Sequence, residues 1–223
     1  MSLNTQEKVR CPKCGELNDI TLWQSVTVSD SDDLKQELLS GRLNVLVCSG
    51  CGVKALVPTP LLYHDEAKKL MLSFCPSADD ASAKTQLEQI KSSSRKSGEL
   101  EGLSGYNLRF ISSYNALLEK ILIFDAGLHD KTVELLKLMA LMQEPDKIEK
   151  RSALFGKKNN DNSIEILVND KSDGQLFTST VPAETYEIIN RQLGLSGVKF
   201  TSHDWEAVDR NYAMRLLGGI NNR

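Results

Sequence analysis

The chain has 223 residues, with 27 basic and 30 acidic side chains and a formal net charge of −3. This length favours one large domain or two small ones. Its hydrophobic fraction of 40% and charged fraction of 26% are those of an ordinary globular protein. Without a basic excess, nucleic acid is not the default partner. No apolar run approaches the roughly 18 residues that a membrane-spanning helix needs.

Two short stretches carry the strongest chemical signal: Cys11-Pro12-Lys13-Cys14-Gly15 and Cys48-Ser49-Gly50-Cys51-Gly52. Each places two cysteines three positions apart and follows them with glycine, which is the spacing of a zinc knuckle. Two knuckles together supply four thiolates, the complete ligand set of a tetrahedral structural zinc site. The sequence therefore predicts one bound Zn²⁺, with Cys11, Cys14, Cys48 and Cys51 as its ligands.

The glycine after each pair has a conformational reason to be there. We expect Gly15 and Gly52 to have positive φ, where a Cβ would clash, and their amides to point at a sulfur. The N-terminus lacks the charged and then apolar pattern of a signal peptide. Paired cysteines in such a chain are expected to be metal ligands rather than disulfides, and the expected compartment is the cytoplasm.

The elements around the knuckles are mostly short strands. Alternating apolar residues predict strands at Ile20–Val28, Leu43–Val47, Val53–Val57 and Leu70–Phe74. Between the first two strands, Leu34, Leu38 and Leu39 share one face of a short helix, which Gly41 ends. Ser31, Asp32 and Asp33 are its N-cap candidates. Tyr63–Glu66 has the composition of a turn. Residues 6–76 are thus predicted to be a β-rich zinc ribbon with an inserted helix.

The rest of the chain is predicted to be more helical. Residues 77–105 are poor in large apolar side chains and are expected to be a linker that permits one exposed helix. Apolar residues at helical spacing then predict a helix at Leu108–Phe124 and a second helix at Val133–Met142, which together form an antiparallel hairpin.

A hairpin of strands at Ile164–Val168 and Leu176–Thr180 should follow the helical pair. A helix is expected from Pro182 to Gly194, and a last one from near Asp204 to Gly218-Gly219, with Trp205 on its apolar face. The fold class is α+β, and residues 106–220 form a helical hairpin followed by a small α+β C-terminal part.

The knuckles, the inserted helix and the segment Pro60-Leu61-Leu62-Tyr63-His64-Asp65 together resemble the bacterial CpXC domain family. That family has a Cys-Pro-x-Cys element twice, and a Gly-x-Leu-Asn run before the second, as in Gly41-Arg42-Leu43-Asn44. The helical pair around Leu117–Ile121 and Glu134–Lys137 looks like the segment that often follows the domain. The resemblance implies a zinc site and no assigned activity. Ser49 departs from the pattern, because proline usually stands there, and a looser second turn is expected.

Other residues invite catalytic interpretations. Cys75 is the leftover thiol, which is more often a small buried hydrophobe than a nucleophile. Each histidine precedes an aspartate, in His64-Asp65, His129-Asp130 and His203-Asp204, and such pairs occur in metal-dependent hydrolases. Helix capping by Asp130 and Asp204 explains two of these aspartates without catalysis.

The leading hypothesis is a non-catalytic zinc-binding protein that acts as a protein-interaction or scaffold module. A nucleic-acid-associated zinc ribbon is the alternative, and a hydrolase built on the His-Asp pairs is a weaker one. The almost entirely apolar helix Val133–Met142 also predicts self-association as a homodimer.

Overall fold

A computed structural model describes residues 1–30 and 32–221, so the N-cap candidate Ser31 lies outside the described residues. The chain divides into two compact units. The first unit contains Met1–Leu118 and a return segment, residues 201–206. The second contains Glu119–Phe200 and the residues that follow the return segment. The α+β class is confirmed.

The first unit is built on a β-sheet with antiparallel and parallel pairs. Its elements up to the last strand are β1 (Leu3–Arg10), β2 (Leu17–Thr27), α1 (Asp32–Leu39), β3 (Val45–Val47), β4 (Lys54–Leu56), β5 (Leu61–Asp65), β6 (Leu70–Phe74), α2 (Asp80–Ser97) and β7 (Asn107–Ile111). The five-stranded sheet has the order β1-β2-β5-β6-β7, and β3 pairs with β4 in a separate two-stranded sheet.

The predicted turn at Tyr63–Glu66 is wrong, because most of it belongs to β5. Leu61, Tyr63 and Asp65 are buried on one face of that strand while Leu62 and His64 lie on the other. This alternation is the strand period, and it places Tyr63 opposite Leu72 of β6. The helix expected from Leu108 also begins later, because Asn107–Ile111 pairs with β6 as a parallel strand.

Residues 77–105, predicted to be a linker, contain the 18-residue helix α2 and a short 3₁₀ turn at Glu99–Leu103. The Asp79 carboxylate caps α2 by accepting the Ser82 N–H at 2.8 Å. Leu87 and Ile90 of α2 pack against a buried cluster that includes Trp205 of the return segment. The compact unit therefore runs on to Leu118, well beyond the boundary at residue 76 that we expected.

The second unit places helices against a three-stranded antiparallel sheet. Its elements are α3 (Tyr114–Asp125, which begins in the first unit), α4 (Asp130–Leu141), β8 (Arg151–Lys158), β9 (Ile164–Asp170), β10 (Leu176–Val181), α5 (Ala183–Leu195) and α6 (Arg210–Asn221). The predicted hairpin of strands is thus present, and β8 adds a third strand in the order β10-β9-β8. A bulge at Gly156 admits only glycine readily, because an added Cβ would lie 3.1 Å from the Glu165 carbonyl oxygen.

Helix α4 packs against β8, β9, α5 and α6. Of its twelve residues, all of which the structure describes, only Met139 is exposed, at 43%. This burial covers most of the apolar surface on which we based self-association and leaves Met139 and Met142, the latter 48% exposed, at the surface. Homodimer formation stays a prediction, and light scattering checks it by distinguishing the 24.8 kDa chain from twice that mass.

Helices α3 and α4 also bury a group of charged side chains, here called the ion cluster: Glu119, Lys120, Asp130, Glu134 and Lys137. Lys120 Nζ lies 2.9 Å from a Glu134 carboxylate oxygen and 3.3 Å from one of Asp130. Asp130 therefore pairs with a buried lysine, and the N-cap residue of α4 is His129, whose side chain makes no capping hydrogen bond.

Candidate metal centre

The first knuckle is a tight turn between β1 and β2. The backbone N–H of Cys11 donates to the Glu16 carbonyl at 2.8 Å, and the N–H of Gly15 donates to the Cys11 carbonyl at 3.0 Å. Gly15 has φ +78°, as the sequence analysis predicted. Its amide, however, bonds a carbonyl and not a sulfur, so that part of the prediction is wrong. The turn brings Cys11 and Cys14 to the same side of the backbone.

The second knuckle, between β3 and β4, repeats the same geometry. Cys48 N–H donates to the Val53 carbonyl at 3.0 Å, and Gly52 N–H donates to the Cys48 carbonyl at 2.9 Å. Gly52 has φ +70°. These bonds match those of the first knuckle within 0.2 Å, so serine at the proline position does not alter the backbone of this turn.

The two turns bring four sulfurs together. The Sγ atoms of Cys11, Cys14, Cys48 and Cys51 all lie within 4.8 Å of one another. The closest approaches join opposite knuckles, at 3.6 Å for Cys11 and Cys51 and 3.5 Å for Cys14 and Cys48. The first cysteine of each knuckle is buried and the second is exposed. This spacing is compatible with four ligands around one metal ion.

Backbone N–H groups directed at the sulfurs favour the thiolate form of the cysteines, which is the form that binds a metal. The N–H of Cys51, helped by that of Gly50, lowers the pKa of Cys48 to about 6 against the opposing effect of burial. The Glu16 N–H lowers the pKa of Cys14, but the neighbouring thiols of Cys48 and Cys51 together raise it to about 12. Thiols this close therefore share protons, which a divalent cation can displace.

The donor set also fits a metal chemically. Four thiols are soft ligands, and a set of four thiolates suits tetrahedral coordination of zinc or iron among the common ions. A tetrahedral ion with all four sulfurs as ligands would have no coordination position left for water. Within residues 1–30 and 32–221, these cysteines are the one group of His, Cys, Asp and Glu side chains close enough to hold a metal ion.

The His-Asp pairs have other surroundings. His64 Nε2 lies 3.1 Å from the Tyr106 hydroxyl, and His129 stacks on the Phe200 ring with centroids 4.4 Å apart. The aspartate after His203 forms an ion pair with Arg95 of α2. It does not cap a helix as predicted, because α6 begins at Arg210 and Asp209 accepts the Tyr212 N–H at 2.8 Å.

Cys75 lies apart from the four-cysteine group. It is half-buried just after β6, and its Sγ is 3.8 Å from the Ser73 hydroxyl. Cys75 is not one of the four cysteines whose sulfurs lie within 4.8 Å of one another.

Two asparagines near the knuckles escaped the sequence analysis. Asn18, in β2, bonds residues of both knuckles. Asn44 has φ +56°, and its side-chain amide bonds both the N–H and the C=O of Trp23, at 2.7 and 2.9 Å. It thereby bonds both backbone groups of Trp23, at a position that β5 does not reach, since β5 pairs with β2 only from Ser25 to Thr27. Asparagine tolerates positive φ, so the Gly-x-Leu-Asn run was the signal that could have found Asn44.

Comparison with protein families agrees with this geometry. The family model described as CpXC protein matches residues 9–137, more than half of the chain. The chain belongs to the CpXC family. The matched region contains both knuckles, the Gly41–Asn44 run and most of the α3–α4 pair. Comparison with curated proteins and with solved structures found no match. In this CpXC protein, no helix of the described residues is long and apolar enough to cross a membrane.

Proposed function

We propose that this CpXC protein binds one structural Zn²⁺ through Cys11, Cys14, Cys48 and Cys51. The observation that carries the proposal is the mutual approach of four cysteine sulfurs within 4.8 Å, on two turns of the same geometry. Zinc suits the set because it accepts tetrahedral thiolate coordination without redox chemistry. The proposed role is to fold the ribbon, because the binding free energy of a small metal site is largely folding free energy.

Metal analysis of the full chain tests this proposal. Protein purified without chelator should carry one zinc per chain, and Cys14→Ser or Cys51→Ser should lose it. Clearly less than one equivalent of zinc, or iron in its place, would contradict the proposal. Both variants change an exposed sulfur, so loss of zinc reports on coordination more than on packing.

We infer that the zinc is not catalytic and that the protein acts by binding another protein. Four thiolates leave no coordination position at which water could be activated. The β3–β4 hairpin turns Val47, 59% exposed, and Leu56, 39% exposed, to the same side of its two strands. Apolar side chains on a hairpin that metal holds rigid favour contact with protein over contact with phosphate. A reducing compartment such as the cytoplasm would keep the thiols available for zinc.

Val47→Glu separates partner binding from zinc binding. Zinc-loaded wild-type protein should retain a protein partner from source-cell extract that the variant, with equal zinc, does not retain. A salt-dependent mobility shift with DNA or RNA that Val47→Glu leaves intact would instead favour the nucleic-acid alternative.

A further inference from the structure

Asn18 joins the two knuckles through one side chain. It is the second residue of β2 and is 8% exposed. Its Nδ2 donates to the Glu16 carbonyl at 2.9 Å, and its Oδ1 accepts the Ser49 backbone N–H at 2.7 Å. Glu16 closes the first turn, and Ser49 lies inside the second. The side chain therefore spans the gap between the two cysteine pairs.

The partners of Asn18 fix the orientation of its amide. The Ser49 N–H can only donate, so the atom that faces it must be the oxygen. The Glu16 carbonyl can only accept, so the nitrogen must face it. In this orientation Nδ2 also lies 3.8 Å from the Cys48 sulfur, and the Ser49 hydroxyl donates to Oδ1 at 3.0 Å.

The bond to Ser49 exists because this position is not proline. Pro12 occupies the same place in the first knuckle, and its ring restricts the turn covalently but offers no backbone N–H. The second knuckle lacks the ring and has instead two donors, the N–H and the hydroxyl of Ser49, directed at Asn18. The two turns have nearly the same geometry, but the first is restricted by the Pro12 ring and the second by hydrogen bonds from Ser49 to Asn18.

We propose that Asn18 is a positioning residue of the metal centre, which fixes the second knuckle through Ser49 and holds the two cysteine pairs at the separation that one ion requires. This rests on the proposed function, namely that the four sulfurs bind zinc. Residues that orient metal ligands typically change metal affinity by about 10- to 100-fold when they are removed. Asn18 should act on affinity and on the Cys48–metal bond, without changing the number of ions bound.

Zinc affinity of the full chain, measured by competition with a chromophoric chelator, provides the test. Asn18→Ala should bind one zinc per chain but about tenfold or more weakly. Asn4→Ala, which makes the same substitution at an exposed position of β1, should match the wild type. With Co²⁺ in place of zinc, Asn18→Ala should also shift the thiolate-to-metal charge-transfer band, because Cys48 loses its amide contact.

A double-mutant cycle separates positioning from general packing. Ser49→Pro removes both groups that donate hydrogen bonds to Asn18 Oδ1, the N–H and the hydroxyl of Ser49. In the Ser49→Pro background, Asn18→Ala should therefore weaken zinc binding several-fold less than it does in the wild-type background. An equal loss in both backgrounds, or an affinity of Asn18→Ala within twofold of wild type, would overturn the proposal. Should Asn18→Ala not fold, Asn18→Ser replaces it, since its shorter side chain cannot reach both Glu16 and Ser49.

The same measurements keep this inference apart from the proposed function. Wild-type protein that takes up no zinc would refute the metal site itself. Wild-type protein with one tightly bound zinc, together with an unaffected Asn18→Ala, would refute only the role of Asn18.

Discussion

The region around the two knuckles, here called the ribbon, and the second unit have cores of very different size. Around the knuckles, the buried cluster consists of Leu46 and the two buried cysteines, Cys11 and Cys48, with partly buried neighbours. The second unit has a continuous apolar core that runs from Ile123 to Tyr186 and includes residues of α4 and the three buried apolar residues of β9. A core as thin as that of the ribbon offers little burial, so its stability is expected to depend on metal.

The comparison teaches where each region is vulnerable. Removing metal should affect the ribbon, whereas breaking packing or buried charge pairs should affect the second unit. The ion cluster is the sharpest example, because charges this deeply buried are tolerated only while they remain paired.

The largest effect is expected from Cys48→Ser. Loss of a buried thiolate should abolish zinc binding and unfold the ribbon, because metal-binding free energy there is folding free energy. Hydrogen exchange read by mass spectrometry should show lost protection in β3 and β4 and retained protection in β8 and β9. Lost protection in β8 and β9 as well would show that the two regions fold as one.

A large effect on the second unit is expected from Lys120→Ala. Removing this buried lysine leaves Glu134 and Asp130 without their closest cation, at a cost of about 3–5 kcal/mol in the free energy of unfolding. Denaturant unfolding followed by circular dichroism, with hydrogen exchange of α4 read by mass spectrometry, measures that change, because both tryptophans, Trp23 and Trp205, lie in the first unit. Zinc content should stay at one per chain, and its loss would contradict the independence of the ribbon. Lys84→Ala, at an exposed position of α2, is the control.

An intermediate effect is expected from Asn44→Ala. The substitution leaves the Trp23 N–H and C=O without the bonds that the side chain supplies, which should cost about 1–3 kcal/mol. It should also weaken zinc binding, because Asn44 directly precedes β3 and the second knuckle. Asn44→Gly should fit the positive φ but restore neither bond, so it should remain destabilised. Full recovery by glycine would mean that backbone strain alone is involved.

A pH-dependent effect is expected in the second unit. Hydrogen bonds from Ser172, together with Arg151, hold the pKa of Asp170 at about 2, below the value of about 3.9 for an unfolded chain. A lowered folded pKa contributes stability above the unfolded pKa, and this contribution disappears as pH falls through the folded value. The difference in unfolding midpoint between wild type and Asp170→Asn should therefore shrink between about pH 4 and pH 2. A difference that stays constant over this range would exclude the linkage.

The smallest effect is expected from Cys75→Ala. This thiol is absent from the four-sulfur group, so the variant should retain one zinc per chain and wild-type affinity. A lost equivalent would mean that Cys75 takes part in coordination.

The four-cysteine cluster was predictable from sequence because its geometry is local. Two cysteines three residues apart, followed by glycine, specify a tight turn through local bonds. The only long-range requirement is that the two turns come together in the fold. The strand at Asn107–Ile111 was not predictable in this way. Leu108 and Ile111 have helical spacing, and only pairing with β6 makes the segment a strand. The role of Asp130 could not be predicted from sequence either. An aspartate at the start of a helix can be an N-cap or a member of a buried ion pair, and the sequence pattern is the same for both.

Sequence alone was enough to predict the cluster of four cysteines, the positive φ of the two glycines after them, the α+β class and membership of the CpXC family. Tertiary structure decided which polar residues serve the centre and how far the first unit extends. Asn18 meets Ser49, 31 residues away, and Trp205 of the return segment bonds Ser94, 111 residues away. The physical reason is range: a knuckle is specified by bonds within five residues, whereas these contacts exist only after distant segments have packed together.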